Sequence, residues 1–231
     1  KGIIMGLFIS FSNSNVLGLN NDVIASDSVL IGFNKKFTGL KLSCLSDVFL
    51  PSPKDGYMLG LSFGLGTSSY KNNNTLGDEG QKLKKNQYFI EMSLLKNFPF
   101  SNRSSCSFQL VSSMLSGKNL YPNELYRLGG LNNFRGFHEE SLLASAYFNC
   151  LAEYRFFIEN NTYLTISANG GWLESKQTGN YKKFFPYGLS AGIVLSTRAG
   201  ILNFYYALGF YEWHNEAIRQ SGIHFGLKNY F

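Results

Sequence analysis

Apolar and polar residues alternate with a period of two along most of this chain, and no long stretch follows the 3.6-residue period of a helix. The clearest case is Tyr57-Met58-Leu59-Gly60-Leu61-Ser62-Phe63-Gly64-Leu65-Gly66. Its odd positions carry Tyr, Leu, Leu, Phe and Leu, and its even positions Met, Gly, Ser, Gly and Gly. Successive side chains of an extended backbone point to opposite faces, so such a segment has one apolar face and one small or polar face. About eleven such segments are predicted, at 5–11, 29–37, 40–47, 57–66, 87–95, 107–115, 145–157, 163–169, 189–197, 201–210 and 223–231. Turn-like or polar stretches at 71–85, 98–105, 159–161, 175–185 and 212–220 separate many of them. No repeat of fixed period appears, and residues 1–231 read as one all-β domain.

Two all-β architectures fit this pattern. A soluble sandwich buries the apolar face, whereas a transmembrane antiparallel β-barrel turns it to lipid and lines a lumen with the polar one. The barrel is favoured because the polar face is rich in Gly and Ser and poor in charge. Aromatic residues gather at segment ends, as an interfacial girdle needs: Phe98, Phe100, Phe184, Phe185, Tyr187, Phe210, Tyr211 and Trp213. Short links (159–161, 196–200) alternate with long ones (118–140, 171–186), matching short periplasmic turns and long outer loops. Parity then sends Leu59, Leu61, Phe63, Phe148, Tyr154, Phe204, Tyr206, Phe225 and Leu227 to lipid. It sends Ser62, Glu153, Asn169, Ser190 and His224 to the lumen. An odd strand number conflicts with the even count of bacterial barrels. Either a strand lies within 13–26, or the chain is the C-terminal part of a longer barrel.

Composition agrees with a barrel. Hydrophobic residues make up 44% of the 231, with 21 Phe, 14 Tyr, 24 Gly and only 5 Pro. No apolar run reaches the roughly 18 residues of a helical span, whereas a barrel strand needs only about 9–11. The net charge of +6 lies mainly in loops, at Lys82, Lys84, Lys85, Lys182 and Lys183, where it is solvated or meets anionic lipid headgroups. No signature for binding nucleic acid accompanies it. Cys44, Cys106 and Cys150 are widely spaced and suggest neither a disulfide frame nor a metal site. Residues 1–5 lack a signal-peptide layout, which suits a mature or truncated form of an exported protein.

One loop carries a distinctive motif, Leu128-Gly129-Gly130 followed by Phe134-Arg135-Gly136-Phe137. Ala152-Glu153-Tyr154-Arg155-Phe156 and Asn169-Gly170-Gly171 follow on the next strands. The chain ends in His224-Phe225-Gly226-Leu227-Lys228-Asn229-Tyr230-Phe231. In this order, with further strands after the loop, the pieces resemble the C-terminal half of the BamA/TamA-like outer-membrane barrels. The resemblance covers roughly 107–231. It implies a roughly sixteen-stranded barrel preceded by POTRA domains, here lacking its first strands. It also implies an inward-folding loop at 118–140 bearing Gly129, Gly130, Arg135, Gly136 and Phe137, with Glu153 and Asn169 as its lumen partners. Phe225, Gly226, Leu227 and Phe231 would form a C-terminal recognition signal. Two positions depart from the pattern: Asn169 stands where the family has an acid, and Asn229 where the signal is usually apolar.

Alternation independently puts Ser145, Tyr147, Asn149, Glu153 and Arg155 on one face, with Glu153 inward. An arginine confined in a lumen needs such a carboxylate, because a lone buried charge is costly. The function implied by the resemblance is outer-membrane protein insertion, by strand exchange at a barrel seam, in a Gram-negative bacterium. Alternatives are a two-partner-type transporter secreting a polypeptide, or the membrane barrel of a patatin-type phospholipase fusion. Expected partners are outer-membrane lipid and lipopolysaccharide, unfolded or exported proteins, and assembly-complex subunits.

No catalytic residue, cofactor or metal is expected. Gly60-Leu61-Ser62-Phe63-Gly64 and Gly188-Leu189-Ser190-Ala191-Gly192 match the nucleophile-elbow pattern. That elbow needs a strand-to-helix turn, and both copies sit inside alternating strands. His138, His214 and His224 form no ligand spacing.

Overall fold

A computed structural model describes residues 2–14, 33–46, 52–71, 82–118, 120–159, 161–177, 180–198, 200–213 and 216–229. The chain forms a barrel wall of antiparallel strands joined in chain order. The first five are β1 (Gly2–Ser14), β2 (Phe33–Ser46), β3 (Gly56–Lys71), β4 (Lys82–Ser101) and β5 (Ser104–Gly117). Two short strands follow, β6 (Tyr126–Leu128) and β7 (Leu142–Ala144), and pair only with each other. The wall resumes with β8 (Ala146–Glu159), β9 (Thr162–Gln177), β10 (Asn180–Phe184), β11 (Tyr187–Thr197), β12 (Gly200–Trp213) and β13 (Glu216–Lys228). The pairing path is β1-β2-β3-β4-β5-β8-β9-β11-β12-β13, with β10 also on β9. Thus β10 and β11 continue one line, broken at Phe185-Pro186, where proline has no N–H for the ladder. The Gly171 N–H bridges the break by donating to the Pro186 carbonyl at 3.0 Å.

Several predicted boundaries need correction. The segments 29–37 and 40–47 are not two strands: β2 runs unbroken through Phe37-Thr38-Gly39-Leu40. Gly39 is there for close approach, since a Cβ on it would run into the Phe8 ring and the backbone of Phe63 and Gly64. Merging them leaves ten strands on the path among the described residues, an even number. The stretch 98–105 is mostly strand, with its turn only at Asn102-Arg103. The expected long loop at 171–186 is instead a strand extension, because β9 runs to Gln177 and β10 pairs back onto it. Likewise 212–220 holds the ends of β12 and β13, which pair as far as Trp213 with Glu216. The possible extra strand at 13–26 lies mostly outside the described residues.

Burial is inverted relative to a water-soluble sheet. Buried wall residues include Ser68, Asn97, Ser105, Ser167, Asn169 and Ser190, while Ile166, Leu189, Phe204, Phe225 and Leu227 are exposed. Along β9 the alternation is strict from Tyr163 to Asn169. An apolar outer face of this extent, on every wall strand, suits hydrocarbon rather than water. The apolar core sits within the lumen, where Phe134, Phe137, Leu142, Tyr147, Leu173 and Phe184 pack together. Phe184 and Tyr211 therefore leave the expected girdle and turn inward onto Phe137, whereas Phe98, Phe100, Phe185 and Tyr187 stay exposed.

Candidate functional site

The link between β5 and β8 folds against the inner face of the wall. A short 3-10 turn at Pro122–Glu124 starts it, and the β6–β7 pair forms its neck. Backbone bonds close its tip, 129–141. The Gly130 N–H donates to the Phe137 carbonyl at 3.0 Å, and the Phe137 N–H to the Phe134 carbonyl at 3.3 Å. Phe134 and Phe137 are almost wholly buried and pack edge to face, 6.4 Å between centroids. Gly129, Gly130 and Gly136 all take positive φ, a region that side chains other than glycine's disfavour.

Gly136 matters most. Its φ is 97°, and a Cβ there would meet the Leu208 and Gly209 backbone. A Cβ on Gly209 would meet the Gly136 carbonyl, and one on Gly188 the Arg135 carbonyl. Three glycines thus let the motif lie backbone to backbone against β11 and β12. The Gly136 N–H also donates to Nε2 of His224 on β13 at 3.3 Å.

Arg135 points across the lumen to β8 and β9. Its Nη1 donates to Glu153 Oε2 at 2.6 Å and to Ser167 Oγ at 2.8 Å, and its Nε to the Leu131 carbonyl at 3.2 Å. The guanidinium stands 4.3 Å from the Tyr205 ring centroid, within cation–π range. Arg155 binds the other Glu153 oxygen through its Nε at 2.5 Å, so one buried carboxylate lies between two guanidinium groups. Charge-assisted bonds of this kind are the strong ones, and here they satisfy a carboxylate that is only 2% exposed.

Asn169 does not join this network: neither end of its buried amide has a hydrogen-bond partner among the described residues. Strand register explains why. Ser167, not Asn169, stands directly opposite Glu153 in the β8–β9 ladder, and its hydroxyl is shared with Ser190 at 2.5 Å. Asn169 lies further along the same face, against the gap left by Gly188. Ser190, the centre of one apparent nucleophile motif, is engaged by Ser167 within two strands and no helix.

A second anchor was missed by sequence reasoning. Glu124, at the start of the loop, accepts bonds at Oε1 from Gln87 Nε2 (2.7 Å) and Ser68 Oγ (3.2 Å), with Lys35 Nζ 3.5 Å away. The Tyr121 N–H donates to its Oε2 at 3.1 Å. Lys35, Ser68 and Gln87 face the lumen from β2, β3 and β4. The signal available was their shared inward parity, but nothing in the sequence paired them with Glu124. Arg155, Ser167 and Tyr205 could likewise be placed inward, though not matched to Arg135.

Of the terminal residues, Phe225 and Leu227 face outward and Gly226 faces inward against Leu131. Phe231 lies outside the described residues. Among the described residues, no group of three His, Cys, Asp or Glu could hold a metal ion.

A family model described as the Omp85 superfamily domain matches residues 18–231. No curated protein matches the chain. The family match spans most of the sequence, and the chain belongs to the Omp85 superfamily, an outer-membrane family that inserts or secretes proteins.

Proposed function

We propose that this Omp85 superfamily member inserts other proteins into the outer membrane of a Gram-negative bacterium, and that it works by strand pairing at its barrel wall rather than by passage through its lumen. The observation that carries this reading is the docked loop. Its Phe134 and Phe137 are buried in the lumen, and its Arg135 and Glu124 are bound to different strands of the wall. A lumen occupied in this way favours work at the wall. Wall strands supply the means, because an unpaired strand edge is a template for another strand, and lipid leaves no other partner for its backbone groups. No nucleotide is required, since strand pairing and apolar burial supply the free energy. In this reading POTRA domains recruit the unfolded substrate and any assembly subunits, lipopolysaccharide surrounds the outer rim, and Phe225, Gly226, Leu227 and Phe231 form this chain's own assembly signal.

The test separates insertion from secretion. Leu131 lies against Gly226, so the pair Leu131→Cys and Gly226→Cys, once oxidised, tethers the loop to the wall. Full-length tethered protein should still support folding of other outer-membrane barrels in depleted cells. If other barrels fold equally well in depleted cells that lack this protein altogether, and the tether abolishes export of a polypeptide, the chain is a secretion pore and the proposal is wrong.

A further inference from the structure

The outer face of the wall is not uniform. A groove of 820 Å³ crosses β5, β8, β9, β11 and β12, within the roughly 300–1,000 Å³ range of small-ligand sites. Its floor is low because Ala152, Ala168 and Ala191 are short, and Tyr154 and Tyr206 raise one side. Register aligns Phe108, Ala152, Ala168, Leu189 and Leu208 in one row across the five strands. At about 4.8 Å per strand, that row is roughly 19 Å long, comparable to an extended acyl chain.

One end of the row is polar. Lys96 on β4 stands directly opposite Phe108, and its Nζ lies 5.1 Å from the ring centroid of Phe98, which also lines the groove. Lys96 donates to Asp55 Oδ1 at 3.0 Å, and the Gly56 N–H donates to the same oxygen at 2.7 Å. Asp55 Oδ2 has no partner among the described residues. Asp55 lies in the β2–β3 turn, which marks this end of the row as the membrane boundary. From there the row moves away from the turns: Phe108 is close to Asn102-Arg103, and Leu189 is far from the turn after Thr197. The Gly56 amide and Lys96 hold the Asp55 carboxyl below its ordinary range, so that carboxylate is charged at neutral pH.

We infer that this groove is a binding site for a zwitterionic phospholipid with a primary ammonium headgroup, its phosphate on Lys96, its ammonium on Asp55 Oδ2 and one acyl chain along the Ala152–Ala168 row. A cation beside an anion complements a zwitterion better than it complements a singly charged head. An ammonium N–H donates to a free carboxylate oxygen, whereas a quaternary ammonium has no N–H to give. Lys96 holds its ammonium over the Phe98 ring at this end of the groove. The inference rests on the outer face being lipid-facing, as the proposed function requires.

The test uses full-length protein in vesicles whose phospholipid carries a photoactivatable diazirine on its acyl chain, with either an ethanolamine or a choline headgroup. Crosslinks from the ethanolamine lipid should favour peptides bearing Ala152 and Ala168 over those bearing Leu40 and Leu65 by about fivefold, close to 1 kcal/mol. The choline lipid should lose most of that preference. Lys96→Gln with Asp55→Asn, both partly exposed positions, should erase the difference between the lipids. Ala168→Phe should bring groove labelling down to the level at Leu40. Equal labelling of groove and reference peptides, or an ethanolamine preference that survives Lys96→Gln with Asp55→Asn, overturns the site while leaving the membrane reading intact. Labelling nowhere on the outer face overturns the membrane reading itself.

Discussion

Glu153→Gln should damage this protein more than Arg135→Met, even though each removes one partner of the same ion pair. The reason is the charge left behind. Arg135, Glu153 and Arg155 form a triad whose side chains are 10%, 2% and 15% exposed. Arg135→Met leaves Arg155 paired with Glu153, a neutral couple. It loses the bonds to Glu153, Ser167 and the Leu131 carbonyl, and methionine retains some contact with Tyr205. Net contributions of about 1.5–3 kcal/mol for bonds to charged groups put the loss near 2 kcal/mol. Glu153→Gln leaves two guanidinium groups facing one neutral amide, and removing one partner of a buried pair costs about 3–5 kcal/mol. The double variant should then be more stable than Glu153→Gln alone, because one uncompensated cation remains instead of two. The assay is the temperature at which detergent-solubilised barrel loses its compact gel mobility, read together with protease access to 129–141. Glu153→Gln equal to or milder than Arg135→Met, or a double variant weaker than either single, would refute the charge argument.

Gly136→Ala should expel the loop tip from the β11–β12 wall. It combines a backbone strain of about 1–3 kcal/mol with a collision against Leu208 and Gly209, and protease cleavage within the tip should rise while gel mobility stays compact. Glu124→Gln should free the other end of the loop by weakening its bonds to Lys35, Ser68 and Gln87. Because Tyr126 packs against the clusters at both ends, cleavage should spread through 118–141 and not stop at the β6–β7 neck; cleavage confined to 118–125 would show two independent docking units. Single cysteines at Leu61, Phe63, Phe204 and Phe225 should react with lipid-phase probes, and those at Ser62, Ser167 and Ser190 with aqueous probes or not at all. Reversed labelling on most strands would refute the orientation of the wall.

The wall was legible because its signal is local. A single period fixes both strand type and facing, and Leu61, Phe148 and Leu227 could be placed outward without knowing any neighbour. Strand ends were less legible for a physical reason. β9 and β10 continue beyond the apolar band as polar ribbons, where Ser175, Lys176 and Lys182 keep the backbone pairing but lose the apolar contrast that marks a strand. The gap expected between 37 and 40 contains Gly39, whose missing side chain makes room for Phe8 within one continuous strand. At the loop, Arg135 and Glu153 came together through motif and parity. Ser167 required the β8–β9 register, and Glu124 required knowing how the chain crosses the lumen; neither is encoded within a few residues of sequence.

The two anchors explain how a loop with so few regular elements keeps one position. Glu124 carries a negative charge to a wall region holding Lys35, Ser68 and Gln87, and Arg135 carries a positive charge to a region holding Glu153 and Ser167. Exchanging the two ends would set Glu124 against Glu153 and Arg135 against Lys35, each a like-charge contact in a confined space. The opposite signs therefore fix the direction in which the loop crosses the lumen, as well as holding it there. The glycines then set its depth, because Gly136, Gly188 and Gly209 allow contact with the wall at a distance no side chain permits. Orientation from charge and depth from missing side chains are separate constraints. The neutral Asn169 lies outside both, which is why the loop stays docked although an acid is missing from that position.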